Sequence, residues 1–90
     1  MQPLGDQCRH YWRVQDMART TDVDLVGAFR DGRITSHEWA AMIDLCRACD
    51  WGEGCQAWVQ AAQAPRPIPS QCKNKARFAL LKCEQELAQR

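Results

Sequence analysis

The chain has 90 residues, with 12 Lys and Arg against 11 Asp and Glu, a net charge of +1, and six cysteines. This length predicts one small domain over residues 1–90, whose core is modest enough to gain from a metal or a cross-link. The near-zero charge provides no basic field for nonspecific binding, so nucleic acid is not an expected partner. Charged residues interrupt the N-terminal apolar positions and leave no secretory signal or membrane span, so we expect a cytoplasmic protein with no membrane insertion.

Two short helices are predicted at the start of the chain. Apolar side chains recur at loose helical spacing over residues 7–20, which indicates the first of them. Asp22 is the expected cap of the second helix, which should end at Asp31 and Gly32. The apolar residues that this second helix would turn towards the core are Val23, Val26 and Phe29.

The third helix has the clearest start signal in the sequence. Thr35 and Glu38 have the spacing of a capping box, in which each side chain accepts a hydrogen bond from the other residue's backbone N–H. Ile34 and Trp39 flank this box at the positions of a hydrophobic staple. The core-facing stripe that follows consists of Trp39, Met42, Ile43, Cys46 and Cys49.

Two more helices are predicted in the second half. Two glycines in residues 50–54 should break the third helix, and a fourth should begin near Cys55. Its inner face would hold Cys55, Trp58, Val59 and Ala62. Three prolines mark residues 64–70 as a loop before a last helix over about residues 73–88. The apolar stripe of that helix would be Ala76, Leu80, Cys83 and Leu87, with Phe78 and Leu81 beside it.

No segment alternates in the manner of a strand, so the sequence predicts an all-α fold, a small bundle of four or five short helices. Four of the cysteines are expected to staple it at one end. Cys46, Cys49 and Cys55 form a C-x2-C-x5-C run, and Cys72 follows the Pro-rich loop. Four thiolates suit the tetrahedral coordination of zinc and equally suit an iron–sulfur cluster. Zinc ribbons usually have two C-x2-C pairs, whereas this chain has one, which favours the cluster.

Other uses of the thiols stay open. Disulfides are disfavoured in reducing cytoplasm, and plain core thiols are a further alternative. A dithiol redox couple at Cys46 and Cys49 is a weaker hypothesis, because the pair ends its helix and the helix dipole there opposes thiolate formation. A bound cation or cluster, together with Arg47, would have to offset that effect. Cys8 and Cys83 lie on apolar helix stripes and are expected to be buried small hydrophobic residues.

Local spacing provides one resemblance to a known family. The string C-R-A-C at 46–49, followed after five residues by C-Q-A-W at 55–58, resembles the cluster-binding segment of WhiB-like actinobacterial regulators. The chain departs from that family at Asp50, where proline often follows the second cysteine. It also lacks the downstream Gly-Trp-Gly turn and basic tail. If this resemblance governs, Cys8 is the alternative fourth ligand.

A longer resemblance covers most of the chain. It consists of V-D-L at 23–25, G-R-I-T at 32–35, C-x2-C-x5-C-x2-W at 46–58 and C-K-N at 72–74. These features resemble a family of small uncharacterised alphaproteobacterial proteins. The resemblance implies that four cysteines belong together, and it brings no known activity. The four are Cys46, Cys49, Cys55 and Cys72, whereas Cys8 and Cys83 lie outside the pattern.

The remaining residues that carry chemistry favour no catalysis. His10 and His37 are expected at the surface, and the carboxylates are scattered without an acid–base pair, a phosphate loop or a catalytic triad. Trp39, Trp51 and Trp58 flank the cysteines, and Trp51 is also a candidate contact for a partner. A solvated, basic face is expected around the last helix from Lys73, Lys75, Arg77, Lys82 and Arg90.

The sequence therefore predicts a small cytoplasmic protein that binds one 4Fe-4S cluster through Cys46, Cys49, Cys55 and Cys72. It would serve as a redox or oxygen sensor or a small electron carrier, not as an enzyme. The expected partner is a protein rather than a small-molecule substrate. The alternatives are a structural-zinc protein-interaction module and a disulfide-stapled subunit of a larger assembly.

Overall fold

The computed structural model describes residues 7–62 and 65–88, and within these ranges it contains five α-helices and no strand. The predicted all-α fold is confirmed. None of the described helices is long and apolar enough to cross a membrane. In chain order the helices are α1 (Gln7–Thr20), α2 (Leu25–Arg30), α3 (Ser36–Arg47), α4 (Gly52–Ala61) and α5 (Lys75–Ala88).

Helix α2 begins later than the sequence predicts. Its cap is Asp24, whose Oδ1 accepts a hydrogen bond from the Gly27 amide at 2.9 Å, whereas Asp22 adopts a left-handed backbone with φ of 60°. The predicted core face is only partly right, since Val23 just before the helix is buried as expected. Leu25 and Ala28 are buried, while Val26 and Phe29 stand 46% and 45% exposed, because adjacent helix positions point about 100° apart.

Helix α3 starts as predicted. The Thr35 amide donates to Glu38 Oε1 at 2.8 Å, and the Glu38 amide donates to Thr35 Oγ1 at 3.0 Å. Such a cap is worth about 1 kcal/mol to the fold. Ile34 just before it is buried, as the staple requires. The helix ends at Arg47, so Cys49 lies in the turn beyond it and not on the helix.

The boundaries of the last two helices differ from the prediction, and so does the buried face of α5. The predicted inner face of α4 is confirmed, since Cys55 is buried and Trp58, Val59 and Ala62 are partly buried. Helix α4 begins at Gly52, so both glycines of the expected break lie within the helix. In α5 the buried side chains are Phe78 and Leu81, whereas the predicted stripe of Ala76, Leu80, Cys83 and Leu87 is exposed. Helix α5 is apolar on two sides, and the side with fewer leucines is the buried one.

Helix α1 organises the core, because α3 and α4 both pack mainly against it. Its buried face includes Val14 and Met17. His10 lies on the same helix and is only 8% exposed, so the expectation of a surface histidine is wrong there, while His37 is exposed as expected. The extended loop of residues 65–69 is tied to the end of α1 by a hydrogen bond from the Arg66 amide to the Thr20 carbonyl, at 2.9 Å. Residue 64 of the predicted loop lies outside the described residues.

Candidate metal centre

Four cysteines line one cavity of about 20 Å³ near the junction of α1, α3 and α4. Cys46 is in the last turn of α3, Cys49 is in the turn that follows, Cys55 is in the first turn of α4, and Cys72 is in the loop before α5. Three separate segments of the chain thus bring their thiols to one place. All six cysteines of the chain, each within the described residues, carry free thiols.

The other two cysteines do not line this cavity. Cys8 on α1 and Cys83 on α5 are both exposed. The expectation that they are buried small hydrophobic residues is therefore wrong. Each helix has a different buried face: the buried apolar residues are Val14, Met17 and Ala18 on α1, and Phe78 and Leu81 on α5.

Short backbone turns hold the cavity cysteines in place. The Cys49 amide donates to the Cys46 carbonyl at 3.1 Å, and the Cys55 amide donates to the Trp51 carbonyl at 2.8 Å. The Cys72 amide donates to the Pro69 carbonyl at 3.2 Å. The thiol of Cys49 lies 4.0 Å from the Gln71 carbonyl, to which it can donate, and this contact connects the turn after α3 with the loop that carries Cys72. The C-x2-C-x5-C run and the distant fourth cysteine are therefore linked.

The environment of the thiols opposes their ionisation. Burial raises the pKa of Cys46 to about 12 and that of Cys55 to about 11. Burial also raises the pKa of Cys72, against a hydrogen bond from the Asn74 backbone N–H that lowers it. In each case the neighbouring cysteines add to the rise, since a second negative charge nearby is unfavourable. Four thiolates at this place would need a cation among them.

A cation from α1 already faces the cavity. Arg13 lines it, and the charge of this guanidinium lowers the pKa of Cys46 and Cys55 against the effect of burial. Its Nη1 lies 3.3 Å from His10 Nε2, and its Nη2 donates to Gln56 Oε1 at 3.5 Å. Arg13 was not predicted, although its neighbour Val14 lies on the inward face of α1.

The arginine that the sequence suggested lies elsewhere. Arg47 pairs with Asp44 on the exposed side of α3, with 3.1 Å between Nη1 and Oδ1, and it does not line the cavity. The side chain at position 47 follows Cys46 directly, and consecutive helix positions point in different directions. The compensating charge next to the thiols is therefore that of Arg13, from a helix far away in sequence.

One of the three flanking tryptophans forms a wall of the cavity. The Trp51 indole lies across the first turn of α4, and a Cβ added at Gly54 would fall 2.4 Å from Trp51 Nε1. The ring fits here because glycine at position 54 has no side chain. Trp58 packs against Trp51 with ring centroids 6.1 Å apart, whereas Trp39 stacks on Tyr11 away from the cavity. Trp51 is half-buried and lines the cavity, so we interpret it as part of the cavity wall rather than as a contact for a partner.

Asn74 holds the loop of the fourth cysteine, Cys72, against α3. It is buried, and its Nδ2 donates to the Met42 carbonyl of α3 at 2.9 Å. Its backbone N–H is the donor to the Cys72 sulfur. Amides that donate to ligand sulfurs are a usual outer shell of iron–sulfur sites. The C-x-N signal at 72–74 thus has a physical meaning that spacing alone did not reveal.

The donor chemistry of the cavity fits a thiolate-bound metal or cluster. Four thiols are a full ligand set for either zinc or a 4Fe-4S cluster, and the apolar side chains of Val14, Met17 and Phe78 complete the walls. Within the part of the chain that the structure describes, no group of three or more His, Cys, Asp or Glu side chains has a geometry that would hold a metal ion as it stands.

The metal-free, reduced protein should become less stable as the pH rises above 9. The pKa values of Cys46 and Cys55 in the fold lie above the value of 9.0 for an ordinary thiol, so the unfolded chain releases these protons first. The resulting contribution to stability is complete below pH 9 and is lost as the pH rises through about 11 and 12. Urea unfolding midpoints on either side of pH 9 measure the effect. Cys46→Ala should weaken the pH dependence, and Cys83→Ala should retain it.

Fold and site together define the class, a small all-α domain whose helices and loops carry four free thiols into one cavity. Comparison with protein families is more specific. Residues 1–84 match the family of unknown function DUF6455, and the chain belongs to that family. This confirms the predicted membership of an uncharacterised family, while the WhiB-like resemblance stays a prediction. No curated protein and no solved structure matches the chain.

Proposed function

We propose that Cys46, Cys49, Cys55 and Cys72 hold one 4Fe-4S cluster, and that the protein is a redox or oxygen sensor or a small electron carrier. The observation that carries the proposal is the sorting of the six cysteines, because four from three segments line one cavity and the other two are exposed. The protein would act in the cytoplasm, where thiols stay reduced, through a protein partner and without catalysis.

Several properties of the cavity support a redox centre. A bound cluster supplies one-electron chemistry, and the chain controls the environment in which the charge changes. Trp51 and Phe78 limit the access of water, and the Asn74 N–H donates to a ligand sulfur. Arg13 places one positive charge beside the thiols, which stabilises the more negative, reduced form of a centre.

Structural zinc is the second candidate, and one observation favours it. The cavity volume of about 20 Å³ is nearer to the space of one small ion or water molecule than to that of a cluster. In this case the metal would only hold the helices together, and the protein would be an interaction module. Metal binding would still contribute to folding, since the ligands converge only in the native state.

Oxygen-free purification followed by elemental analysis and a visible spectrum tests these candidates. Iron and sulfide in equal amounts, with a brown colour that fades in air, would support the cluster. Colourless protein with stoichiometric zinc would select the structural site and overturn the cluster. A count of free thiols before and after reduction identifies the third possibility, in which the four cysteines are paired as disulfides.

Arg13→Gln is expected to weaken retention of the centre. Loss of the guanidinium charge raises the pKa of Cys46 and Cys55 further, so displacing their protons on metal binding costs more free energy. We expect release to a chelator to become easier by about tenfold, the usual scale for an outer-shell partner. Arg13→Lys should restore most of the loss.

The matched control for this variant is Arg19→Gln on the same helix. Arg19 is exposed and pairs with Asp16 outside the cavity. Equal loss from both arginine variants would mean that Arg13 acts only through the stability of α1. If the centre is a cluster, Arg13→Gln should also make its reduction potential more negative, a shift that a purely structural role would not produce.

A further inference from the structure

A second concave surface, separate from the thiol cavity, runs between α3 and α5 with a volume of about 390 Å³. We call it the α3/α5 groove. Ala41 and Leu45 form one wall, and Ala76 and Leu80 form the other. Each pair is four residues apart, so its members stand on one face of their helix. The two leucines are 46% and 53% exposed, which makes the groove an apolar surface open to a partner.

Polar contacts span this groove. Asn74 Nδ2 donates to the Met42 carbonyl at its floor, and Arg77 pairs with Glu38 across it, with 3.2 Å between Nη1 and Oε2. Helix α3 packs mainly on α1, and α5 packs mainly on α2. The helices are therefore held at a fixed separation with their leucines facing the same open channel. Paired apolar stripes of this spacing receive one face of an amphipathic helix.

The charge of the groove indicates what kind of helix it would accept. Lys73 lies at the end next to Cys72, is exposed, and has no ion pair among the described residues. Glu38, the acidic residue of the lining, is already paired with Arg77. The unpaired charge is thus positive. An acidic side chain of a partner would find a counter-charge here, whereas a basic one would be repelled.

We propose that the α3/α5 groove binds an amphipathic helix of a partner protein, with leucine-type side chains between Leu45 and Leu80 and acidic residues alongside Lys73. Two copies of this chain that met groove to groove would bring one unpaired Lys73 towards the other, so a symmetric dimer through this face is a poorer match. The occupant is accordingly a partner's helix with acidic residues beside its apolar face.

The groove adjoins the thiol cavity. Lys73 and Asn74 line both, and the Asn74 N–H donates to the Cys72 sulfur. Asn74 Oδ1 is buried without a hydrogen-bond partner in the described part of the chain, so the side chain at this junction is only partly satisfied. A helix in the groove would therefore rest against the loop that holds the fourth thiol. This link between partner and centre rests on the proposed function, whereas the docking itself does not.

The test uses synthetic amphipathic peptides of about 20 residues, long enough to form a helix on binding. One peptide carries leucines at helical spacing flanked by glutamates, and its control replaces every glutamate by lysine. We expect the purified protein to bind the acidic peptide and not to bind the lysine peptide. Binding of the acidic peptide should weaken at higher salt. Equal binding of both peptides, or of neither, would overturn the proposal.

Variants locate the binding surface. Leu80→Ser and Leu45→Ser should each weaken binding of the acidic peptide by about tenfold, the effect of losing one buried leucine contact. Leu87→Ser is the matched control, because Leu87 is 59% exposed on α5 but does not line the groove. Lys73→Gln should weaken binding and reduce its salt dependence. Because all four side chains are exposed, the variants should keep their helical circular dichroism.

Two further measurements separate the outcomes. If sedimentation of the protein alone reveals a dimer that Leu80→Ser abolishes, a second copy occupies the groove and the proposal is wrong. Metal content is determined on the same samples. A protein that holds its centre but does not bind the acidic peptide refutes the docking alone. A protein that binds the peptide without any metal refutes the proposed function alone.

Discussion

Replacing Cys72 by serine is expected to remove most of the metal or cluster from the purified protein. The variant loses one of four thiolate ligands and also the sulfur that accepts the Asn74 N–H. Loss of an outer-shell partner alone typically costs 10–100-fold in metal affinity, so loss of a ligand should cost more than about 100-fold. Metal and sulfide per protein chain, measured after oxygen-free purification, give the result directly.

The chain contains its own controls for this experiment. Cys8→Ser and Cys83→Ser change the same functional group at exposed positions outside the cavity, and both should leave metal content unchanged. Loss of metal from Cys8→Ser with retention in Cys72→Ser would move the fourth ligand to α1, as the WhiB-like resemblance implies. If the Cys72→Ser variant retained its full metal content, the proposal of a four-thiolate centre would be refuted.

Local signals explain what the sequence predicted well. The capping box of Thr35 and Glu38 depends on atoms three residues apart, so it forms in the same way whatever the rest of the chain does. The turn of Cys46 and Cys49 at the end of α3 is equally local, with both thiols directed into the cavity. The four-thiol cavity itself could be expected only in part, because spacing along the chain does not fix where Cys72 lies.

Tertiary contacts explain what the sequence missed. Helix α2 has six residues, too few for its apolar pattern to identify one face, so the pattern predicts Phe29 in the core whereas Phe29 is exposed. Helix α5 has apolar residues on two sides, and tertiary packing buries Phe78, which lines the cavity with Val14 and Met17, while Leu80 stays exposed. Arg13 reaches the thiols because α1 packs on α3 and α4. The residues next to Arg13 in the sequence do not indicate which helices will surround it in the fold.

The two phenylalanines provide the sharpest test of this core. Phe78 is 1% exposed and also lines the thiol cavity, so Phe78→Ala should lower the free energy of unfolding by about 3–5 kcal/mol. That is a large fraction of the about 5–15 kcal/mol available to a small domain. Phe29 is 45% exposed and meets the edge of Trp39 with centroids 5.6 Å apart. Phe29→Ala should therefore cost only about 1 kcal/mol.

Urea unfolding of the metal-free, reduced protein measures both variants without interference from the centre. If the Phe29 variant were as damaging as the Phe78 variant, the packing of α2 and α5 described above would be wrong. The same substitutions should differ in their effect on the centre. Phe78→Ala opens the cavity wall beside the thiols to water, so a reconstituted centre should be lost faster in air. Phe29 does not line the cavity, and its replacement should leave that lifetime unchanged.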